Sequence, residues 1–250
     1  MTQIDQPAIK GRFSTATVTR RVDMTDDLFR IWFKSATEFT FKPGQYCTIG
    51  LEGIERPYSI ASSPAEEDIE LFIEAIPRPI GQLTPLLHKL KVGDQVTIRP
   101  RAKGLFVFEP DYRNHVMVST VTGVTPFISM LRAYYENPRG GDRFYILEGA
   151  SYHDEFGYDD ELIQMAADHE EVVFVPSVSR PDEDRNNNWR GATGRINTLV
   201  QHYLKEFDIP TEGTLIYACG HPGMIEDTRQ RLNGTGYAFT EERFWKDDEG

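Results

Sequence analysis

The stretch Arg56-Pro57-Tyr58-Ser59 comes shortly after Gly44-Gln45-Tyr46 and brings a guanidinium, an aromatic ring and a hydroxyl close together in the chain. Side chains alternate between the two faces of a β-strand, so in a strand Arg56 and Tyr58 would share one face. On that face the cation suits a pyrophosphate and the ring suits a planar heterocycle. An ordinary barrel strand with a surface arginine is the alternative for these four residues alone, so the rest of the chain has to decide.

The length of 250 residues is sufficient for two domains, each with its own hydrophobic core. No apolar run approaches the roughly 20 residues that a transmembrane helix needs. The N-terminus has neither the basic nor the apolar region of a signal peptide. We therefore expect a cytoplasmic protein without membrane insertion.

The two cysteines, Cys47 and Cys219, lie far apart in the sequence, and neither belongs to a C-x-x-C motif. Two isolated thiols are too few to hold a structural zinc ion or an iron–sulfur cluster. We therefore expect no metal centre and no built-in one-electron cluster.

The net charge of -12 is unevenly distributed. Residues 1–110 carry equal numbers of basic and acidic side chains, so the acidic excess lies in residues 111–250. A nucleic-acid-binding protein usually has a basic stripe or a pI above about 9, and this composition argues against that class. The asymmetry either serves solubility or leaves local basic patches for an acidic protein partner. The candidate patches are Arg99, Arg101 and Lys103, or His88, Lys89 and Lys91.

Hydrophobic periodicity differs between the two halves of the chain. In the first half, short β-branched and aromatic runs alternate with turn residues, which is typical of antiparallel barrel strands. These runs cover residues 13–19, 28–33, 46–49, 69–76 and 96–98. After Pro110 strands alternate with helices, which predicts a parallel sheet. The predicted strands are 115–119, 144–149, 172–178 and 215–219, and the predicted helices are 126–135, 161–167, 196–207 and 222–232.

Three loops carry candidate binding residues. Gly81-Gln82-Leu83-Thr84 is predicted to open a short helix that could hold a phosphate, with a plain connector helix as the alternative. The segment 119–126 lies between a predicted strand and a predicted helix, where open parallel sheets place their ligands. The last predicted strand ends at Cys219 on the same edge, although a buried structural cysteine is the commoner explanation of a lone thiol.

Taken together, these motifs resemble the ferredoxin-NADP reductase superfamily over nearly the whole chain. R-x-Y-S, G-x-L-T, T-G-V-T-P, Gly149-Ala150, Ser179-Arg180-Pro181, Gly194-Arg195-Ile196 and C-G-H-P-x-M occur in the family's order. The resemblance implies a two-domain protein. An antiparallel Greek-key β-barrel that binds FAD would occupy residues 1–110. An α/β parallel-sheet domain that binds NADP(H), with a C-terminal tail, would occupy residues 111–250.

For FAD, the resemblance implies that Arg56 binds the pyrophosphate, that Tyr58 stacks on the isoalloxazine and that Ser59 lies near flavin N5. It also implies further cofactor contacts on the barrel side, from Pro57, Gly81, Leu83 and Thr84. Ser59 and Cys219 are the catalytic candidates, as residues that orient the reacting rings rather than as acids or bases.

For NADP(H), the resemblance implies that Thr122 and Gly123 meet the pyrophosphate, while Cys219 borders the nicotinamide. Near the C-terminus, Trp245 would cover the flavin or the coenzyme. The 2'-phosphate would be bound by Ser179, Arg180 and Arg195.

The sequence departs from the family pattern at three places. Val121 stands where the family usually has a glycine, Ser151 stands where several bacterial members have an arginine, and residues 246–250 extend past the terminal aromatic. The implied function is an FAD-dependent oxidoreductase that moves electrons between NADP(H) and ferredoxin or flavodoxin. The alternatives are the reductase component of an oxygenase, a flavin reductase, and a non-catalytic flavin-binding subunit.

Overall fold

A computed structural model describes residues 13–243, which form two six-stranded sheets joined by the segment 99–113. The first sheet is antiparallel, with the strand order β4-β3-β6-β1-β2-β5. Its strands are β1 (Ser14–Asp23), β2 (Leu28–Ser35), β3 (Tyr46–Leu51), β4 (Ile54–Ser59), β5 (Ile69–Glu74) and β6 (Gln95–Ile98). The short helix α1 (Thr84–Leu87) lies between β5 and β6.

The interior of this barrel is filled by the inward-facing aliphatic and aromatic residues of its strands. Alternation explains the selection in β1, where Ala16 and Val18 are buried while their neighbours Thr17 and Thr19 are less so. Strand β5 is buried along most of its length because it faces the barrel interior on one side and the second domain on the other. Strand β4 lies at one edge of the sheet, and it carries Arg56 and Tyr58.

The second sheet is entirely parallel, with the order β10-β9-β8-β7-β11-β12. Its strands are β7 (Asn114–Thr120), β8 (Arg143–Ala150), β9 (Val172–Val178), β10 (Ala192–Thr193), β11 (Thr214–Cys219) and β12 (Ala238–Glu242). Its helices are α2 (Thr125–Glu136), α3 (Asp159–Asp168), α4 (Ile196–Glu206) and α5 (Pro222–Leu232). Helices α2 and α3 cover one face of the sheet, and α4 and α5 cover the other.

The strand order reverses between β7 and β11, which are direct neighbours in the sheet. The chain continues from β7 to β8 and β9 on one side and later returns to β11 on the other side, so a crevice opens between the carboxyl ends of β7 and β11. The loops that follow Thr120 and Cys219 therefore meet at the position where this class of sheet binds its ligands.

The barrel packs against the α2 and α3 face of the parallel sheet through a shared apolar core. Leu28 and Phe72 of the barrel belong to the same buried cluster as Phe127 of α2. A charged network crosses the same interface, because Arg132 of α2 donates to the buried carboxylate of Glu70 on β5 at 2.6 Å. These contacts fix the two sheets relative to each other.

The fold class expected from the sequence is confirmed: an antiparallel barrel precedes a parallel α/β sheet. Two strands of the second sheet, β10 and β12, were not predicted. The boundary between residues 110 and 111 stays a prediction, and it falls in the segment that links β6 to β7. Among residues 13–243, no helix is both long and apolar enough to cross a membrane.

Candidate functional site

A cleft of about 920 Å³ separates the edge of the barrel from the carboxyl edge of the parallel sheet. It is lined from both domains, which is typical of a site that brings two ligands together. The predicted site residues that line it are Arg56, Pro57, Tyr58, Ser59, Gly81, Leu83, Thr84, Thr122, Ser179, Arg180 and Arg195. The structure thus collects residues that are up to 139 positions apart in the sequence.

On the barrel side, Arg56 and Tyr58 project from the same edge strand into the cleft. The Arg56 guanidinium donates to the carbonyl of Glu55 at 2.8 Å and lies 3.5 Å from the side-chain oxygen of Gln82. The residue is exposed, and neither contact neutralises its charge. Arg56 therefore presents a cation that is free to bind an anionic group in the cleft.

Two buried hydroxyl groups beside Arg56 lack hydrogen-bond partners. Neither the Tyr58 hydroxyl nor Ser59 Oγ has one among the described residues. Burial also raises the pKa of the Tyr58 phenol, so the group remains protonated and able to donate. Buried polar groups in native proteins are nearly always paired, and unpaired ones in a cleft fit a ligand that supplies the missing partners.

The loop that contains Gly81 is braced by its own hydrogen bonds. The Gly81 N–H donates to Pro77 O at 2.9 Å, and the Thr84 hydroxyl bonds both the N–H and the carbonyl of Ile76, at 3.1 and 3.2 Å. A Cβ on Gly81 would lie 1.9 Å from Ile76 O, so only glycine fits this turn. Helix α1 begins at Thr84 rather than at Gly81, and it has four residues. The loop thus shapes the cleft wall, but the Gly81 N–H is already engaged.

Close backbone contacts shape the carboxyl edge of the parallel sheet. A Cβ on Gly123 would lie 2.3 Å from Cys219 O, and a Cβ on Gly220 would lie 2.4 Å from Thr120 Oγ1. The Thr120 hydroxyl also accepts a hydrogen bond from the His221 N–H at 2.8 Å. The loops after β7 and β11 are therefore locked together across the strand-order reversal. Gly123 itself is buried and forms this contact rather than part of the cleft wall.

Helices α4 and α5 both begin at the cleft. Arg195 occupies the N-cap position of α4 without a capping bond from its side chain, and His221 caps α5 by accepting a hydrogen bond from Gly223 N at 3.0 Å. The N-terminus of a helix carries a partial positive charge and unpaired N–H groups, which attract phosphates. The edge of the sheet therefore suits an anionic ligand such as a dinucleotide pyrophosphate.

Val121 adopts a backbone conformation that is rare for its residue type. Its φ angle is 44°, in the left-handed region that β-branched residues seldom occupy. Its side chain packs against the core, and the residue lines the cleft directly after β7. Such strain is concentrated at binding sites, where the surrounding structure holds it in place.

Cys219 lies at the end of β11, and the residue is fully buried in the core with Phe127 and Tyr217. It is not among the residues that line the cleft, although Gly220 directly after it is. Burial raises the pKa of the Cys219 thiol well above its usual value, so the group is a neutral thiol. The expected catalytic role of Cys219 stays a prediction, and its thiol is suited to packing rather than to nucleophilic chemistry.

Three comparisons with known proteins bear on the identity of this site. Residues 117–230 match the model of the oxidoreductase NAD-binding domain family. A flavodoxin/ferredoxin-NADP reductase of Shigella flexneri is 30% identical over 228 residues, which cover 86% of this chain and 88% of the relative. The chain belongs to the ferredoxin-NADP reductase superfamily. It is an oxidoreductase of that superfamily.

A second relative and a solved structure are similar to most of this chain. The gamma subunit of sulfhydrogenase 1 from Pyrococcus furiosus is 30% identical over 220 residues, covering 85% of this chain and 71% of the relative. The crystal structure of a ferredoxin NADP+ reductase from Neisseria gonorrhoeae, with bound FAD and NADP, superposes with a TM-score of 0.81 at 25% identity. That match covers 94% of this chain and 100% of the other.

In this superfamily member, the two arginines expected at the 2'-phosphate have different surroundings. Arg195 is exposed, and its side chain forms no ion pair within residues 13–243. Arg180 donates to the Tyr152 hydroxyl at 2.9 Å and lies 3.6 Å from Glu183. Both arginines and Ser179 line the cleft, so the structure brings all three residues into one site.

The loop between these arginines is anchored by a buried asparagine. Asn186 donates to the carbonyls of Ser151 and Arg180 at 2.9 Å each, and it accepts from the His153 N–H at 2.9 Å. Its side chain is thereby almost fully hydrogen-bonded. The asparagine-rich segment 182–190 is therefore fixed to the ends of β8 and β9 at this residue.

Sequence reasoning missed several residues of the site. His221 and Asn197 line the cleft at the starts of α5 and α4, and the Pro222 helix-start signal could have indicated the first of them. Glu242 pairs in register with Cys219 across β12 and β11, and burial raises its pKa to about 8. No local pattern predicts that pairing. Trp245, expected to cover the flavin or the coenzyme, lies outside the described residues.

Proposed function

We propose that the protein is an FAD-dependent oxidoreductase that moves electrons between NADP(H) and a ferredoxin or flavodoxin. The observation that carries the proposal is the cleft between the two domains. One wall holds a cation and two buried hydroxyls that have no hydrogen-bond partner within residues 13–243, and the opposite wall is the switch-point edge of a parallel sheet. Two nucleotide cofactors that must meet fit between walls of this kind.

The barrel side of the cleft suits FAD. Arg56 would hold the pyrophosphate by charge-assisted hydrogen bonds, and Tyr58 would present its ring to the isoalloxazine. The orphaned hydroxyls of Tyr58 and Ser59 would donate to or accept from the flavin edge. When bound, FAD supplies the conversion between two-electron transfer with nicotinamide and one-electron transfer with a carrier protein.

The sheet side of the cleft suits the dinucleotide NADP(H). The interlocked turns after β7 and β11 hold the backbone near Thr122 in one conformation, and the positive ends of the α4 and α5 helix dipoles lie at the cleft, where they would favour phosphates. Ser179, Arg180 and Arg195 would bind the 2'-phosphate. The work of these residues is positioning, because the reacting rings need fixed contact and exclusion of water rather than a strong acid.

The electron carrier would dock beside the loop 101–105. Arg101, Lys103 and Leu105 are all exposed, Leu105 at 95%, so two cations precede an exposed apolar side chain at alternate positions of the chain. Gly104 lies against Tyr46 and Glu242, which joins this patch to the end of β12 beside the cleft. Cations next to an exposed apolar side chain suit a small acidic carrier such as a ferredoxin or flavodoxin.

The experiment that tests the function is anaerobic stopped-flow absorbance of the flavin-loaded protein mixed separately with NADPH and NADH. We expect faster bleaching of the flavin band with NADPH. Arg180→Ala should reduce kcat/KM about 10- to 100-fold for NADPH and much less for NADH, because a hydrogen bond to a charged group contributes about 1.5–3 kcal/mol.

A matched control is Arg190→Ala, in the same loop. Arg190 is exposed, and its guanidinium donates to the backbone carbonyls of Asn187 and Trp189 outside the cleft. Equal loss with both coenzymes in Arg180→Ala, or an equal loss in Arg190→Ala, would overturn the 2'-phosphate assignment. A preference for NADH would favour the reductase component of an oxygenase. Absence of bleaching with either coenzyme would favour a non-catalytic flavin-binding subunit.

A further inference from the structure

The 2'-phosphate arginine is already engaged with an acidic partner of its own chain. The Tyr152 hydroxyl accepts a hydrogen bond from Arg180 at 2.9 Å and donates one to Glu183. The Glu183 carboxylate is also 3.6 Å from the Arg180 guanidinium. The three side chains thus form a closed triangle, in which Arg180 lines the cleft and a carboxylate already shares its guanidinium.

We propose that Glu183 sets the coenzyme preference of this protein by competing with the 2'-phosphate for Arg180. The inference rests on the proposed NADP(H)-binding function. A 2'-phosphate carries a charge of about -1.5 to -2 at neutral pH. To reach Arg180 it has to displace Glu183 or share the guanidinium with it, and either route weakens binding of the phosphorylated coenzyme. NADH lacks the phosphate, so its binding is not opposed in this way.

The neighbouring cation cannot relieve this competition. Arg185 also lies over the Tyr152 ring, at 4.3 Å from its centroid, but it is paired with Asp154 at 2.7 Å and lies 3.9 Å from Glu155. The positive charge of Arg185 is therefore already balanced by carboxylates. The cation that remains for a phosphate is Arg195, at the start of α4 on the same cleft wall. We expect Arg195 to hold the phosphate while Arg180 is shared.

The expected magnitude follows from the exposure of the pair. Arg180 and Glu183 have about half of their side-chain surface accessible, at 51% and 52%. Exposed ion pairs change an equilibrium by about 1.5- to 5-fold. The phosphate carries nearly twice the charge of a carboxylate partner, so the gain from removing Glu183 should lie at or slightly above the upper part of that range. We expect Glu183→Gln to tighten binding of a 2'-phosphorylated ligand about three- to ten-fold.

The test is calorimetric titration of the flavin-loaded protein with adenosine 2',5'-bisphosphate and, separately, with adenosine 5'-monophosphate. Glu183→Gln should tighten binding of the bisphosphate and leave the monophosphate unchanged. The ratio of kcat/KM for NADPH to that for NADH should rise by a similar factor. The matched control is Asp182→Asn, which removes the same charge one residue away. Asp182 has no ion pair among the described residues.

A double-mutant cycle separates direct competition from a general charge effect. In an Arg180→Ala background, Glu183→Gln should no longer affect bisphosphate binding, because the contested cation is gone. An equal effect of Asp182→Asn, an equal effect on both ligands, or a persistent effect without Arg180 would overturn the inference. Weaker bisphosphate binding in Glu183→Gln would also overturn it, since Glu183 would then hold Arg180 in place.

The same titrations distinguish failure of the inference from failure of the proposed function. If the wild-type protein binds the bisphosphate more tightly than the monophosphate but Glu183→Gln does not change that difference, NADP(H) binding stands and the competition is wrong. If neither ligand binds the wild-type protein or the variants, the proposed coenzyme site is wrong, and the inference fails with it.

Discussion

The carboxylate of Glu70 is the centre of the contact between the two domains, and we expect Glu70→Gln to destabilise the protein strongly. Glu70 is 1% exposed and accepts hydrogen bonds from Arg30 at 2.8 Å, from Arg132 at 2.6 Å and from Tyr158 at 3.0 Å. Arg30 lies on β2 and Arg132 on α2, so the network joins the barrel to the α/β domain. Glutamine keeps the volume of the side chain, removes its charge and replaces one of the two acceptor oxygens with an NH2 donor.

The expected loss is about 3 kcal/mol. Breaking a buried ion pair on one side costs about 3–5 kcal/mol, because the remaining charge is left uncompensated. We expect the lower end, because both arginines keep some contact with water, at 22% and 17% exposure. Arg132 also retains Glu161 at 2.7 Å as a second counter-charge. For a protein of ordinary stability this is a large fraction of the total.

Urea denaturation followed in parallel by far-UV circular dichroism and by flavin fluorescence would measure this loss. The matched control is Glu67→Gln, on the loop before β5, because Glu67 is 76% exposed and pairs only with Lys34 among the described residues. We expect almost no change in that control. If Glu70→Gln were as stable as Glu67→Gln, the reasoning that this carboxylate joins the two domains would be refuted.

Two further predictions concern Glu242, at the end of β12, and Val121, which lines the cleft. Burial raises the pKa of Glu242 from 4.5 to about 8, so the folded state holds the proton more tightly, and this contribution to stability is lost as the pH rises from about 5 to about 8. At about 1.4 kcal/mol per pKa unit the full change is about 5 kcal/mol, and partial exposure reduces it to about 2 kcal/mol. Urea titrations across this pH range should show that the decrease of the unfolding free energy with pH disappears in Glu242→Gln. Val121→Gly should change the free energy of unfolding by less than about 1 kcal/mol, because relief of the strained φ of 44° offsets the lost packing and the higher entropy of the unfolded chain. A loss above about 2 kcal/mol in urea titrations would mean that the valine is not strained.

Much of the barrel side of the site could be predicted from local sequence. Arg56 and Tyr58 share a face of β4 as strand alternation requires, and both line the cleft. The helix-start signals at Pro126 and Pro222 were equally reliable, because proline at the first turn fixes the backbone without losing a needed donor. Local chemistry was sufficient in each case.

The features that sequence could not provide depend on distant contacts. The pairing of Glu242 with Cys219 exists only because β12 joins the edge of the sheet. Arg180 and Glu183 are only three positions apart, but the Tyr152 hydroxyl that bridges them comes from the end of β8. Val121 could be recognised as unusual for its position, but its positive φ could not be predicted from a β-branched residue.

Hydrogen bonding is distributed unequally between the domain interface and the cleft. At the interface Glu70 has all the partners that its two oxygens need. At the cleft the buried hydroxyls of Tyr58 and Ser59 have none among the described residues, and nearby Val121 adopts a strained backbone. Each unpaired buried group costs about 1–3 kcal/mol. A ligand that supplies those partners binds the folded state alone, so it should raise the stability of the protein in proportion to its concentration and affinity. The cleft is therefore the place where binding energy and folding energy are coupled.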